Sequence, residues 1–148
     1  MLKNNMNKSL EIKLKNLLSY ENIDCKNLKF LAGDASNRKY FNIDVSFKKY
    51  LLMYDDNTDS LNNFIKVSNI LSKLVSIPRI IFNLKNKNIL IIEDFGLNKF
   101  SQLLQKNNRT KLYKLAVDAL IQIHKKNKPY NLEFYDIKKF TCESDLFF

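Results

Sequence analysis

Arginine, glycine, histidine and cysteine are all scarce in this chain, and each shortage excludes something. Of the 25 basic residues among 148, only 3 are arginine and 22 are lysine, and the lysines run from Lys3 to Lys139 without forming a stripe. Arginine makes the bidentate contacts to phosphates and base edges, so an arginine-poor charge of +10 argues against specific nucleic-acid recognition. The abundance of Lys, Asn and Ile reads instead as the codon bias of an AT-rich genome. The 2 cysteines, Cys25 and Cys142, lie far apart and match no metal or redox spacing. No charged-then-apolar leader opens the chain, and no apolar run approaches the ~20 residues of a membrane helix. The expectation is a soluble, cytoplasmic protein with free thiols and no membrane partner, forming one ordinary domain or part of a larger one.

What is present has a clear order. Leu10, Leu14, Leu17 and Leu18 follow the period of one helix face and predict a helix over about 9–20. LKFLA (28–32), KYFNIDV (39–45) and YLLMY (50–54) predict three strands in an antiparallel meander, separated by polar breaks at 33–38 and 46–49. Between Thr58 and Leu74 the apolar positions return to helical spacing, with Thr58 or Asp59 as the expected N-cap. Pro78 then resets the backbone, and RIIFNL (79–84) and NILIIE (88–93) predict a hairpin across KNK (85–87). A short helix over about 98–106 and a longer one over about 109–125 follow Gly96. The tail from Lys128 carries six Phe or Tyr residues, more apolar surface than a free terminus needs, and so predicts an interface.

One of the 2 glycines, Gly33, sits in the stretch LAGDASNRKYFNI (31–43) between the first two expected strands. A turn containing Gly33 can bring several backbone N–H groups together, and such groups cradle phosphate oxygens. Ser36 would add a hydroxyl and Arg38 a charge. An ordinary β-hairpin with a glycine at its bend fits the same residues.

The segment Gly33-Asp34-Ala35-Ser36-Asn37-Arg38-Lys39-Tyr40-Phe41 resembles the first hairpin of the aminoglycoside phosphotransferase family, closest to its bacterial N-acetylmuramate and N-acetylglucosamine kinase branch. LLMYDD (51–56), NNFIKVSNILSKL with IPRI (62–80), ILIIEDFG (89–96) and LYKLAVDALIQIHK (112–125) extend the resemblance over most of the chain. It implies an α+β, protein-kinase-like fold: a small lobe of five antiparallel strands plus a helix over residues 1–96, then the first helices of a helical large lobe, cut off early, over 97–148. It also implies ATP with Mg²⁺ as cofactors and an amino sugar as substrate of the complete protein. Gly33, Asp34, Ala35, Ser36, Asn37 and Arg38 would cover the nucleotide phosphates.

Asp94-Phe95-Gly96 spells the magnesium motif of protein kinases, but there the metal aspartate follows a catalytic loop, whereas the only histidine here, His124, comes after Asp94. The hinge between lobes fits better, with the backbone of Glu93, Asp94 and Phe95 meeting the adenine edge and Gly96 turning the chain. IHKK lacks the Asp and Asn of a phosphotransferase loop, so His124 reads as a helix C-terminal residue favoured by the dipole. Met53 takes the place of the third-strand lysine of many kinases, the 58–74 helix has no Glu to pair with one, and Arg38 is the substitute candidate. No His-x-Asp-x-x-x-x-Asn occurs in the 148 residues, so catalytic residues and metal ligands are expected outside them. The alternatives are a catalytically silent nucleotide-binding module, such as a pseudokinase remnant, and, third, a basic nucleic-acid binder.

Overall fold

The computed structural model describes residues 2–33, 38–96, 98–125, 132 and 136–145. The leucine stripe at the start forms α1, Leu2–Tyr20, a longer helix than its apolar period marks, and Leu14 and Leu18 are fully buried. Its end is a hydrogen-bonded cap: the Ile23 N–H reaches back to the Leu18 carbonyl at 2.9 Å, while Asn22 takes the left-handed conformation at φ 58°.

Three strands follow, β1 (Cys25–Gly33), β2 (Lys39–Val45) and β3 (Lys48–Tyr54). After the helix α2 (Thr58–Leu71) come β4 (Ile80–Leu84) and β5 (Ile89–Glu93), joined by a 3-10 turn at Lys85–Lys87. All neighbours are antiparallel and the order is β1-β2-β3-β5-β4. The protein is therefore α+β, built on a five-stranded antiparallel sheet. The cap of α2 is Asn57 rather than Thr58 or Asp59: its Oδ1 accepts from the Asp59 and Ser60 amides at 2.9 and 3.1 Å.

Each face of the sheet packs against a helix, over only part of the α2 side, because side chains alternate along each strand. Phe41, Ile43, Leu52, Ile89 and Ile91 meet Leu14 and Leu18 of α1 on one face. Met53, Leu90 and Ile92 meet Leu61 of α2 on the other, with Phe64 and Ile65 packed at the edge of that cluster. β5, a continuous apolar run, lies inside the sheet, whereas β1 is an edge strand with two register irregularities and exposed lysines.

After Gly96 come α3 (Phe100–Leu103), α4 (Arg109–His124) and α5 (Ile137–Ser144), the last in a tail for which the sequence reading gave no helix. None of the three has a buried residue, and Leu115, Leu120, Ile137 and Phe140 are all exposed. Among the described residues no helix is long and apolar enough to cross a membrane.

The β2–β3 connection is a two-residue turn, Ser46–Phe47, in which both residues have positive φ, 50° and 64°. Asn-Gly suits such a turn far better than Ser-Phe, and Phe47 is 99% exposed. Replacing Ser46→Asn together with Phe47→Gly is expected to raise stability by about 1 kcal/mol through relief of backbone strain. An unchanged urea midpoint would count against that account of the turn.

Candidate functional site

Gly33 closes β1 rather than forming a turn, and it pairs with Lys39. Its φ lies outside the left-handed region, and a Cβ added there would meet the Arg38 carbonyl oxygen at 3.5 Å, an ordinary contact. The expectation of a turn containing this glycine therefore does not hold; the ladder to Lys39 keeps it in the strand. Asp34, Ala35, Ser36 and Asn37 lie outside the described residues.

Arg38 directly precedes β2 and turns to the face that α2 covers. Its Nε donates to Asp55 Oδ2 at 3.3 Å, its Nη2 donates to Ser60 Oγ at 3.0 Å, and its guanidinium carbon lies 5.5 Å from the Phe64 ring centroid. Asp55 is fully buried, and its Oδ1 accepts the Asn57 N–H at 2.9 Å. The Asp55 N–H donates to the Asn88 carbonyl at 3.2 Å, and Thr58 Oγ1 donates to Asn88 Oδ1 at 3.2 Å. The start of β2, the end of β3, the cap of α2 and the β4–β5 turn thus converge on one residue, Arg38 and Asn57 at its carboxylate and Asn88 at its backbone N–H. Sequence reading singled out Arg38 but not Asp55, whose only signal was a position in the acidic YDD after an apolar strand.

At the other end of the sheet, β5 leads into the Glu93–Phe95 segment. The Glu93 carboxylate grips Arg79 through Nε at 3.2 Å and Nη2 at 3.1 Å. Hydrogen bonding to Arg79 holds the Glu93 carboxyl below the usual carboxylate range. The Glu93 N–H donates to the Arg79 carbonyl at 2.9 Å, and the Gly96 N–H donates to Asp94 Oδ1 at 2.8 Å. Gly96 has φ 80°, the conformation glycine adopts at least cost, so here the chain does turn on its glycine. Phe95 is half exposed.

Asp94 also lines a cavity of about 280 Å³ with Asn27, Lys29, Asn42, Asp44, Lys49 and Tyr50. A neighbouring hollow of about 270 Å³ at the β2–β3 turn shares Asn27, Asp44 and Lys49 with it. Asn42 and Asp44 alternate with the buried Phe41, Ile43 and Val45, and Lys49 shares its side of β3 with Leu51 and Met53. Sequence reading missed Asn42 and Asp44, although the alternation in KYFNIDV is the signal that could have found them. Met53 itself is fully buried among Leu61, Leu90 and Ile92, and Lys48 and Lys49 begin β3. His124 is exposed at the last position of α4.

The two segments singled out by sequence lie at opposite ends of the same strands. Lys39 pairs with Tyr54 and Glu93 pairs with Tyr50, so four residues of β3, about 13 Å, separate the base of the first hairpin from the exit of β5. The described residues hold no group of three or more His, Cys, Asp or Glu able to bind a metal ion. No protein-family model, curated protein or solved structure matches the chain significantly.

Two outcomes follow from this geometry. Gly33→Ala should leave stability unchanged or raise it by about 0.4–1 kcal/mol, because the backbone suits alanine and the unfolded chain loses freedom; a large fall in the melting midpoint would show a closer approach than 3.5 Å. Burial, then the hydrogen bond from its hydroxyl to Asp56, pushes the Tyr54 phenol up to about 12. The folded state thus holds that proton more tightly than the unfolded state, whose phenol titrates near ~10. The stability due to Tyr54 is fully present below ~10 and declines as pH rises through about 12. The advantage of the parent over Tyr54→Phe in urea unfolding should therefore shrink across that window, and a constant difference would contradict it.

Proposed function

We propose that this chain is the ATP-binding N-terminal part of an aminoglycoside phosphotransferase-like small-molecule kinase, with an amino sugar as the substrate of the complete protein. The observation that carries the reading is the placement of the Gly33–Lys39 pair, at the base of the first hairpin, and of EDFG, at the exit of β5, about 13 Å apart along β3. That is a distance an extended nucleoside triphosphate covers. The helix between the third and fourth strands and the antiparallel pairing of all five also fit a kinase-like small lobe.

In this reading the base lies against the exit of β5 and the phosphates lie under the hairpin. Because the Glu93 N–H is engaged by Arg79 and the Gly96 N–H by Asp94, adenine recognition falls to the other backbone groups of Glu93, Asp94 and Phe95. The polar cavity beside Asp94 fits this use, since Asn42, Lys29 and Lys49 offer donors to the base or ribose. Backbone amides of Gly33 to Arg38 would receive the phosphates, a role that suits a short segment of small side chains. Mg²⁺ chemistry is not assigned to this chain: its described residues hold no ligand cluster, and no catalytic loop occurs in the 148 residues. Binding without turnover is what these residues support. The exposed apolar faces of α4 and α5 suit burial within a larger helical lobe.

Photolabelling with 8-azido-ATP followed by peptide mapping tests the reading. Label is expected in the peptides carrying residues 39–54 and 89–96, competed away by ATP, with no transfer of γ-phosphate to N-acetylmuramate or N-acetylglucosamine in the presence of Mg²⁺. Label that is absent, scattered or displaced by single-stranded DNA instead of ATP would overturn it in favour of the other classes.

A further inference from the structure

We propose that Arg38 is a positioning residue whose pairing with the buried carboxylate of Asp55 clamps the base of the β1–β2 hairpin to the first turn of α2, so that nucleotide capture depends on the seating of that helix. The nucleotide half of this inference rests on the function proposed above; the clamp itself rests on geometry alone.

The contacts around Asp55 set what the clamp can do. A fully buried carboxylate requires compensation, and Asp55 has Arg38 Nε on one oxygen and the Asn57 amide on the other. Asn57 is itself the cap of α2. Arg38 extends the same link one step further along the helix, to Ser60 Oγ and over the ring of Phe64. A displacement of α2 therefore pulls on two of the groups that hold the guanidinium. Arg38 in turn adjoins Lys39, whose pairing with Gly33 forms the last rung of the β1–β2 ladder before the 34–37 segment. The sheet beneath is anchored independently, because Phe41, Ile43 and Leu52 pack against α1 on the other face.

Kinase-like folds commonly couple sheet and helix through a lysine on the third strand and a glutamate on the helix. Here Met53 is buried in an apolar cluster, and α2 has no glutamate. The pair Arg38–Asp55 supplies a link between the same two layers from different positions: the cation lies at the start of the second strand and the anion at the end of the third.

Asp55→Asn separates positioning from direct phosphate contact. It keeps the shape of the side chain but removes the charge that holds the guanidinium. Were Arg38 a phosphate ligand, releasing it would tighten ATP or leave it unchanged; as a positioning residue, its release weakens ATP. The expected result is that Asp55→Asn and Arg38→Gln each raise amide exchange about tenfold both at 38–41 and at 57–65, with 12–20 and 89–92 unaffected. The double variant should be no worse than either single one, and Arg38→Lys should recover part of the protection. Half-maximal protection against 8-azido-ATP should require about tenfold more ATP in each single variant. Ser60→Ala, which strands no charge, gives the same pattern at two- to fivefold and serves if the others fail to fold.

Exchange that rises only in the mutated element, or evenly over the whole sheet, overturns the clamp. Coupled exchange in a parent that takes no label refutes the nucleotide reading and leaves the clamp standing. Label with unaltered ATP competition in folded variants refutes the coupling and leaves the nucleotide reading standing.

Discussion

A carboxylate with no access to water is the constraint around which one end of this molecule is arranged. Leaving Asp55 uncompensated would cost several kcal/mol, so the chain must bring donors to it. It does so from two directions, Arg38 before β2 and the Asn57 amide at the start of α2, while the backbone N–H of Asp55 itself donates to the Asn88 carbonyl in the β4–β5 turn. None of these donors is adjacent to another in sequence. The first hairpin, the helix and the second hairpin each bond, at this end, to the same residue. Hydrophobic burial on the two faces of the sheet supplies the larger driving force but is non-directional. The polar junction at Asp55 adds direction, since its two carboxylate oxygens accept from Arg38 and from the amide of the α2 cap.

The far end of the sheet is built differently. There the edge strand β1 is irregular, Asn27 adopts φ 53° and donates to Asp44, and the exit of β5 turns at Asp94–Gly96. Polar side chains that alternate with the core of β2 and β3 line a concavity instead of packing under a helix, because α2 covers only the Met53, Leu90 and Ile92 region. The sheet thus has a covered half and an open half on one face. A ligand lying along β1–β3 would touch both, with the clamp at one end and the turn after β5 at the other.

Much of this was legible before any coordinates. The β-rich segments KYFNIDV and YLLMY became β2 and β3 with little change, and the apolar spacing after Thr58 became α2. Boundaries moved where polar residues decided them. Asn57 caps α2 because its side chain reaches two free amides, a choice that N-cap propensity leaves open among Asn57, Thr58 and Asp59. Gly33 looked like a bend residue, yet the ladder to Lys39 continues through it. The regular apolar stripe of α4 formed its helix as expected but buries no residue, since periodicity specifies a face and not a partner.

By itself the sequence determined the elements: alternation chose strands, the 3.6-residue period chose helices, and the polar breaks between them set the order. Both signals are local, and a chain can express them before it folds. Tertiary structure alone decided that β5 and not β4 lies beside β3, because a continuous apolar run such as ILII is satisfied only where both faces of a strand are covered. It alone brought Arg38 to Asp55, 17 positions away, and Asn88 to the same junction. A buried charge imposes its demand for donors only once water has been excluded, and exclusion of water is a property of the assembled layers rather than of any segment.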